Sequence, residues 1–331
     1  MTTPLPVGPL SPYITPELLK QYPTGITWSS IPPGGTRLGI SDADRLAAQA
    51  NICATSTALV DKAVKQPLRA TIDTYTVYAP GVRAKVPRDL RTPAVLTMAR
   101  WPVLSVLAVR IAPNRLPYAF APVPTSPAGL YVPRRPVVGL YGSAAPAAAG
   151  EGGQGVNLAA GWLDWRNGRE GYVVEVDYIN GWPHTALTAA AVPATNGPQT
   201  IQVDDCTGWA ITAAAGGNVG ATGTVYDAAA QEVIHATGTS AVSGPGTVTL
   251  SAPLLNEHAA GTMISTLPQS VVWAAALFCC DVALQRGATS TTVQEMPGKK
   301  VAEAAGISVK GGETPSMWAE KILKGTFDRI I

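Results

Sequence analysis

The sequence predicts an α+β fold in which a helical core is split by an inserted all-β domain, with strands and a β-hairpin between them and extended arms at both ends. Two segments, Ser41 to Val64 and Ser270 to Gln285, place apolar residues at three- and four-residue steps, the period of a helix. Between them, from about Leu187 to Leu267, Gly, Pro and Asn punctuate short Val/Thr/Ile runs, the spacing of a small sandwich or barrel. The chain is also rich in Gly (33) and Pro (29), with only 14% charged residues. That is well below the roughly one quarter of an average soluble domain, and it points to turns and long loops supported by neighbouring chains.

Taken in order, a Pro-rich arm leads to Thr15-Pro16-Glu17, which reads as an N-cap, a first-turn proline and an acid favourable to the helix dipole; a short helix runs to about Gln21. Ser41 and Asp44 open a second helix, whose Leu46, Ala50, Cys53, Thr57, Val60 and Val64 form one stripe, predicted to be buried. Gln66-Pro67 ends it, and Leu68 to Tyr78 is Thr/Tyr/Val-rich and extended. From Pro93 to Ile111 two apolar strands are expected, divided at Trp101-Pro102 because proline cannot donate to a ladder. Ala112 to Gly155 reads as an excursion with little regular structure, and Asn167-Gly168 between strand-like flanks signals a hairpin.

The runs TIQV, GTVYD, EVIHAT, GTVTLS and TMIST supply the β domain, which Pro268 closes. The helix after it carries Trp273, Leu277, Cys280 and Leu284 on its apolar steps. Beyond Arg286-Gly287, Thr314-Pro315 opens a last helix with Trp318, Ile322 and Leu323 as apolar neighbours, free to dock on this chain or on a partner. The 331 residues thus divide into 1–111 (arm, first part of the core, strands), 112–186 (excursion and hairpin), 187–267 (β domain), 268–286 (core helix) and 287–331 (extended arm and short helix).

The chemistry-bearing residues are sparse. His184, His235 and His258 lie in no ligand spacing, so no metal site is expected, and structural roles are the default reading. There is no GxSxG elbow or Walker motif. Gly153-Gln154-Gly155 and Gly244-Pro245-Gly246 lack the strand-to-helix context of phosphate loops. Asp204-Asp205, Asp227 and Glu232 suggest turn-forming acids rather than paired glycosidase carboxylates or a calcium site. Arg134-Arg135 and Lys299-Lys300 read as solvated loop charge, and Trp162, Trp165, Trp182 and Trp209 as β-core packing rather than a sugar platform. Cys53, Cys206, Cys279 and Cys280 have no CxxC spacing and are expected to be reduced and buried. A net charge of +2 is too small for tight nucleic-acid binding. The apolar run Val271 to Cys280 stops at Asp281, short of the roughly 20 residues a membrane span needs, and the Met-Thr-Thr-Pro start shows no signal peptide, so a cytoplasmic site of synthesis and no membrane partner are expected.

Three segments, in this order, resemble the head-tail connector, or adaptor, proteins of long-tailed siphophages. They are SDADRLAAQANICATSTALVDKAVKQPLRATIDTYTVYAPG, MARWPVLSVLAVRIAP and LPQSVVWAAALFCCDVALQRGATSTTVQEMPG. Arg100-Trp101-Pro102-Val103 with Val106, and Arg286-Gly287-Ala288-Thr289 after a helix, are similar to that family's actinobacterial-phage branch. The resemblance implies a small helical-bundle core that packs side by side into a homo-oligomeric ring, commonly twelve-fold, in the virion neck. Its implied partners are the portal protein above, stopper, head-completion or tail-terminator proteins below, and phage DNA passing non-specifically through the lumen; it implies no enzyme activity and no cofactor. By the resemblance, Leu46, Ala50, Cys53, Val60, Val64, Trp273, Leu277 and Leu284 lie on ring-wall helices, and Arg286, Thr289, Trp318, Ile322, Leu323 and Phe327 are candidate subunit or portal contacts. The Pro-rich excursion and the β domain depart from the compact members. The alternative reading is another virion protein, a decoration or tail-associated subunit that binds the host through the β domain, with a wall-degrading hydrolase third.

Overall fold

The structure, a computed structural model, describes residues 11–28, 31, 41–78, 94–97, 99–100, 102–113, 116–123, 130–131, 137–140, 172–186, 191–194, 197, 199–212, 218–227, 230–288 and 295–327. The elements in chain order are α1 (Pro16–Gln21), α2 (Asp42–Val64), β1 (Thr71–Tyr78), β2 (Ala94–Thr97), β3 (Val103–Pro113), β4 (Ala121–Val123), β5 (Leu130–Tyr131), β6 (Val137–Leu140), β7 (Tyr172–Asn180), β8 (His184–Ala186), β9 (Thr200–Val203), β10 (Ala210–Thr212), β11 (Asn218–Gly220), β12 (Thr222–Tyr226), β13 (Glu232–Thr239), β14 (Gly246–Leu250), β15 (Met263–Ser265), α3 (Gln269–Gln285), α4 (Lys299–Ala304) and α5 (Pro315–Phe327).

Helix α3 organises the helices. Its sequence is apolar on every side, and eleven of its residues, from Val271 to Ala283, are buried; a helix of that kind is stable only when surrounded. Helices α2, α4 and α5 pack around it, and α1 lies on α2. The helix starts follow their local chemistry. Thr15 caps α1 by accepting from Leu18 N, and Ser41 with Asp44 forms a reciprocal capping box on α2, each satisfying amides that have no partner in the first turn. Helix α2 ends at Lys65, which adopts a left-handed φ of 63° without being glycine.

The expected small helical-bundle core with an all-β insertion is not what the chain forms. Among the described residues, fifteen strands accompany the five helices. One sheet has the order β1-β7-β3-β4, and another, β8-β15-β12-β13-β14-β9, curls into a half-barrel. Among the described residues, strand-forming runs therefore lie well ahead of the region taken as an insertion, from β1 to β8, as well as within it. The half-barrel also packs into the helices, since Tyr226, Met263 and Leu267 belong to the same buried cluster as α1 to α5. A closed β insertion bounds its own core; this one shares part of its core with the helices. The remaining inner side chains, among them Ile201, Trp209, Val225, Ile234 and Leu250, fill the half-barrel itself.

The strand break at Trp101-Pro102 has a topological meaning: β2 pairs with β6 in a separate sheet, whereas β3 pairs with β7. The Asn167-Gly168 hairpin and the part of the Ala112 to Gly155 excursion from 141 onward lie outside the described residues, whereas the earlier part, expected to hold little regular structure, carries β4, β5 and β6, short strands paired into two sheets. Where β7 passes into β8 the chain crosses the link from α2 to β1. Trp182 N donates to Leu68 O at 2.8 Å and Ala70 N to Trp182 O at 2.7 Å. Gly181, at φ 91°, makes this crossing possible, because a Cβ there would stand 2.4 Å from Arg69 O.

Candidate functional site

The residues singled out from sequence divide between core and surface. On α2, Cys53, Thr57 and Val60 are buried, but Leu46 is 48% exposed, Ala50 faces solvent and Val64 is half-buried. The buried face instead carries Ala48, Gln49, Ile52, Cys53, Ser56, Thr57 and Val60, a correction to the predicted stripe. On α3, Leu277 is fully buried, while Trp273 and Leu284 are half-buried at its margin. Trp318, Ile322, Leu323 and Phe327 dock on their own chain: all four are buried against α3 and its neighbours, and the Phe327 ring meets Trp182 edge-on at 5.9 Å. Arg286 is exposed, and Thr289 lies outside the described residues.

The four cysteines are free and buried. Hydrogen bonding to the Cys279 thiol and burial push the Cys53 thiol well up, and burial does the same to Cys280, so these sulfurs behave as packing groups rather than nucleophiles. Among the described residues no cluster of His, Cys, Asp and Glu could hold a metal ion, and no helix is long and apolar enough to cross a membrane.

Two polar constructions hold the molecule's geometry. The first pins the segment 11–15 between the helices and the half-barrel. Tyr13 N donates to Thr57 Oγ1 at 2.9 Å, and the Tyr13 hydroxyl donates to Asp61 Oδ1 at 2.5 Å while accepting from Leu68 N and Arg69 N. Ser11 donates to Asp204, which also accepts from Thr185. His184 stands edge-on to the Tyr13 ring, with Nε2 2.9 Å from Pro12 O and Nδ1 2.9 Å from Ser265 Oγ. A carbonyl only accepts, so Nε2 carries the proton and the serine hydroxyl donates to Nδ1. Burial depresses this imidazole to a pKa of about 4, against the pull of the Pro12 carbonyl and Asp204. Although this is a serine-histidine pair, both side chains are buried and enclosed, and the pair fastens the arm.

The second construction projects a turn. Leu254 is anchored in the half-barrel core and donates its N–H to Gln199 Oε1 at 2.8 Å. His258 pairs its backbone with Val192 in both directions and inserts its buried ring between Asp227 Oδ2 (3.0 Å) and Glu232 Oε1 (3.3 Å). The Glu232 carboxylate accepts from Leu255 N, Asn256 N and Asn256 Nδ2 at 2.7 to 2.8 Å. Burial raises its pKa, but these donations outweigh burial and hold it below the ordinary glutamate range. Thus Asp227 and Glu232 do work together, as clamps on a turn whose Leu255 is 77% exposed.

Between the last turn of α1 and the N-terminal part of α2 lies a cleft of about 560 Å³ lined, among the described residues, by Lys20, Trp28, Asp42, Arg45, Leu46 and Gln49. Gln49 is buried; its Nε2 donates to Trp28 O at 2.8 Å, which fixes the amide orientation and leaves Oε1 buried without a partner. The remaining candidates are structural. Asp205 accepts from Thr207 and Gly244, Lys299 pairs with Glu295 and Glu303, and Trp209 fills the half-barrel, while Trp162, Trp165, Arg134-Arg135 and Gly153-Gln154-Gly155 lie outside the described residues.

Sequence reading missed Tyr13, Asp61, Gln49 and the turn at 255–257. Gln49 and Cys53 are one helical step apart, so a stripe through 49, 53, 56 and 60 was available; the partners of Tyr13 lie more than 40 residues away and leave no local trace. No protein-family model, no curated protein and no solved structure matches this chain.

Proposed function

We propose that this protein is a structural subunit of the neck of a tailed bacteriophage. It is a head-to-tail adaptor that assembles as a ring of its own copies beneath the portal protein, offers the attachment point for stopper or tail components, and leaves a channel for DNA. The observation that supports this reading most is that two of the three connector-like segments meet in space. The first forms α2 and β1 and the third forms α3, and across that gap in sequence the helices pack face to face, with Cys279 Sγ against Ile52 O at 4.0 Å. The polar groups at the junction between layers also suit a structural part: His184, Tyr13 and Asp61 fix backbone there, and Asp204 ties Ser11 to Thr185. A net charge of +2 suits a lumen through which DNA must pass without being retained.

The test is co-sedimentation of the full chain with purified portal complexes, followed by imaging of the joined particles. Ring density beneath the portal is the expected result; a stable monomer that ignores portal overturns the reading. Deleting 187–267 is a poor test of the host-binding alternative, because Tyr226, Met263 and Leu267 belong to the shared core. Substituting the exposed Val233, His235 and Thr237 on the outer face of β13 is better. Particles that join heads to tails but fail to adsorb would then favour the alternative.

A further inference from the structure

Two surface features remain that the packing of the described residues does not use: the clamped turn at 255–257 and the cleft between α1 and α2. We infer that they are the two halves of one contact, the turn of one copy seating in the cleft of the next. The inference rests on the ring reading above and gives that ring its subunit contact.

The turn is built as a rigid probe. Its two ends, Leu254 and His258, are buried, and one carboxylate, Glu232, holds two of the three intervening amides, those of Leu255 and Asn256. Holding the backbone in advance removes the ordering cost of a flexible loop on binding. What it presents is an apolar tip, Leu255, flanked by the exposed Asn256 and Glu257.

The cleft offers the matching groups. Trp28 and the half-exposed Leu46 form an apolar wall for a leucine side chain. Lys20 and Arg45 bring positive charge toward Glu257; Arg45 pairs with the exposed Asp42 at 3.1 Å. Gln49 Oε1 is a buried acceptor in need of a donor. The Asn256 amide gives one hydrogen to Glu232 and has a second to give. The oxygen is closed to solvent in the free chain, so seating includes a rotamer change among the long side chains at the cleft mouth. The volume, about 560 Å³, accommodates the tip of such a turn. Because the two patches are different surfaces of one chain, the contact is head-to-tail, the kind that propagates and closes into a ring when the rotation permits.

Disulfide trapping in the full chain tests this. Mixing Leu46→Cys chains with differently tagged Leu255→Cys chains under mild oxidation should give mixed dimers about tenfold above a Leu46→Cys and Val242→Cys control, and the Leu46→Cys/Leu255→Cys double variant should give a ladder beyond the dimer. Lys20→Glu should lower trapping about tenfold, and Glu257→Lys in the partner should restore it. Both residues are exposed, so neither exchange disturbs the core. Trapping no better than the control, or no rescue by the charge exchange, overturns the contact. Portal co-sedimentation of the same preparations separates the two claims: portal binding without trapping sinks only the contact, and loss of both sinks the ring reading as well.

Discussion

His184 should make the stability of this protein fall as acid is added, through a window that opens above the titration of ordinary carboxylates. Its imidazole is fully enclosed, with Nε2 donating to Pro12 O and Nδ1 accepting from Ser265. A second proton on the ring turns Nδ1 from acceptor to donor and places a charge in the interior, near Arg69. Burial therefore lowers the folded-state pKa from 6.5 to about 4. Between those values the unfolded chain binds more protons than the folded one, so stability falls as pH drops through that window and levels off below it. A fall from 6.5 to about 4, at about 1.4 kcal/mol per pH unit, is worth about 3 kcal/mol.

The measurement is the urea unfolding free energy of wild type and His184→Gln at a series of pH values from 7 to 4. Asp61 responds in the opposite sense, because burial raises its pKa and acid relieves the cost of its buried charge. That contribution is common to both proteins and cancels in their difference. At pH 7 the wild type should be the more stable, since the glutamine cannot reproduce both ring hydrogen bonds; the advantage should shrink by about 3 kcal/mol by pH 4. A difference that stays constant across the series, or one that grows with acid, refutes the argument that His184 is buried neutral.

Other perturbations test other parts of the same packing. Trp318→Ala removes a fully buried ring from between α5 and α3 and leaves Glu313 without its indole donor; it should cost about 3 to 5 kcal/mol in urea unfolding and expose α5 to limited proteolysis. Tyr13→Phe deletes the hydroxyl that serves Asp61, Leu68 N and Arg69 N, and should destabilise by about 1 to 3 kcal/mol, with little change in circular dichroism at neutral pH. Lys65→Gly relieves the left-handed φ of 63° at the end of α2 and should raise the melting temperature, by the equivalent of about 1 kcal/mol.

What could be read from the sequence was the chemistry carried by neighbouring residues. The Ser41 and Asp44 box, the Thr15 cap, the apolar α3 and the strand runs between 200 and 266 are all local signals, and the structure has an element at each. The phase of α2 was misread because Ala, Thr and Ser occur all round it, so the apolar pattern is weak and several stripes fit. Leu46 looked like the first residue of the buried stripe and lines the open cleft instead. The fold class failed for a longer-range reason. No local pattern says that Tyr226 and Met263 pack against helices rather than closing a separate β core. The arm clasp and the clamped turn are built from partners between 19 and 193 residues apart, a range at which only the folded chain brings them together.

In the ring proposed above, the clasp at 11–15 would bear on how copies meet. The cleft belongs to α1 and α2, whereas the turn belongs to the half-barrel; besides the core shared through Tyr226, Met263 and Leu267, one is fixed relative to the other by the junction where Tyr13 meets α2 and His184 meets Pro12. In a head-to-tail ring the rotation per copy is set by the angle between the two contacting surfaces, and a small angular freedom changes the number of copies at closure. Loosening the junction should therefore broaden ring size without abolishing the contact. If the proposed ring forms, native mass measurement of assemblies of Tyr13→Phe or His184→Gln, under conditions where these variants remain folded, should show neighbouring copy numbers beside the one expected of the wild type. A variant that assembles with the wild-type copy number alone would show that the ring angle is set elsewhere, and would remove the junction from the assembly argument while leaving its part in stability intact.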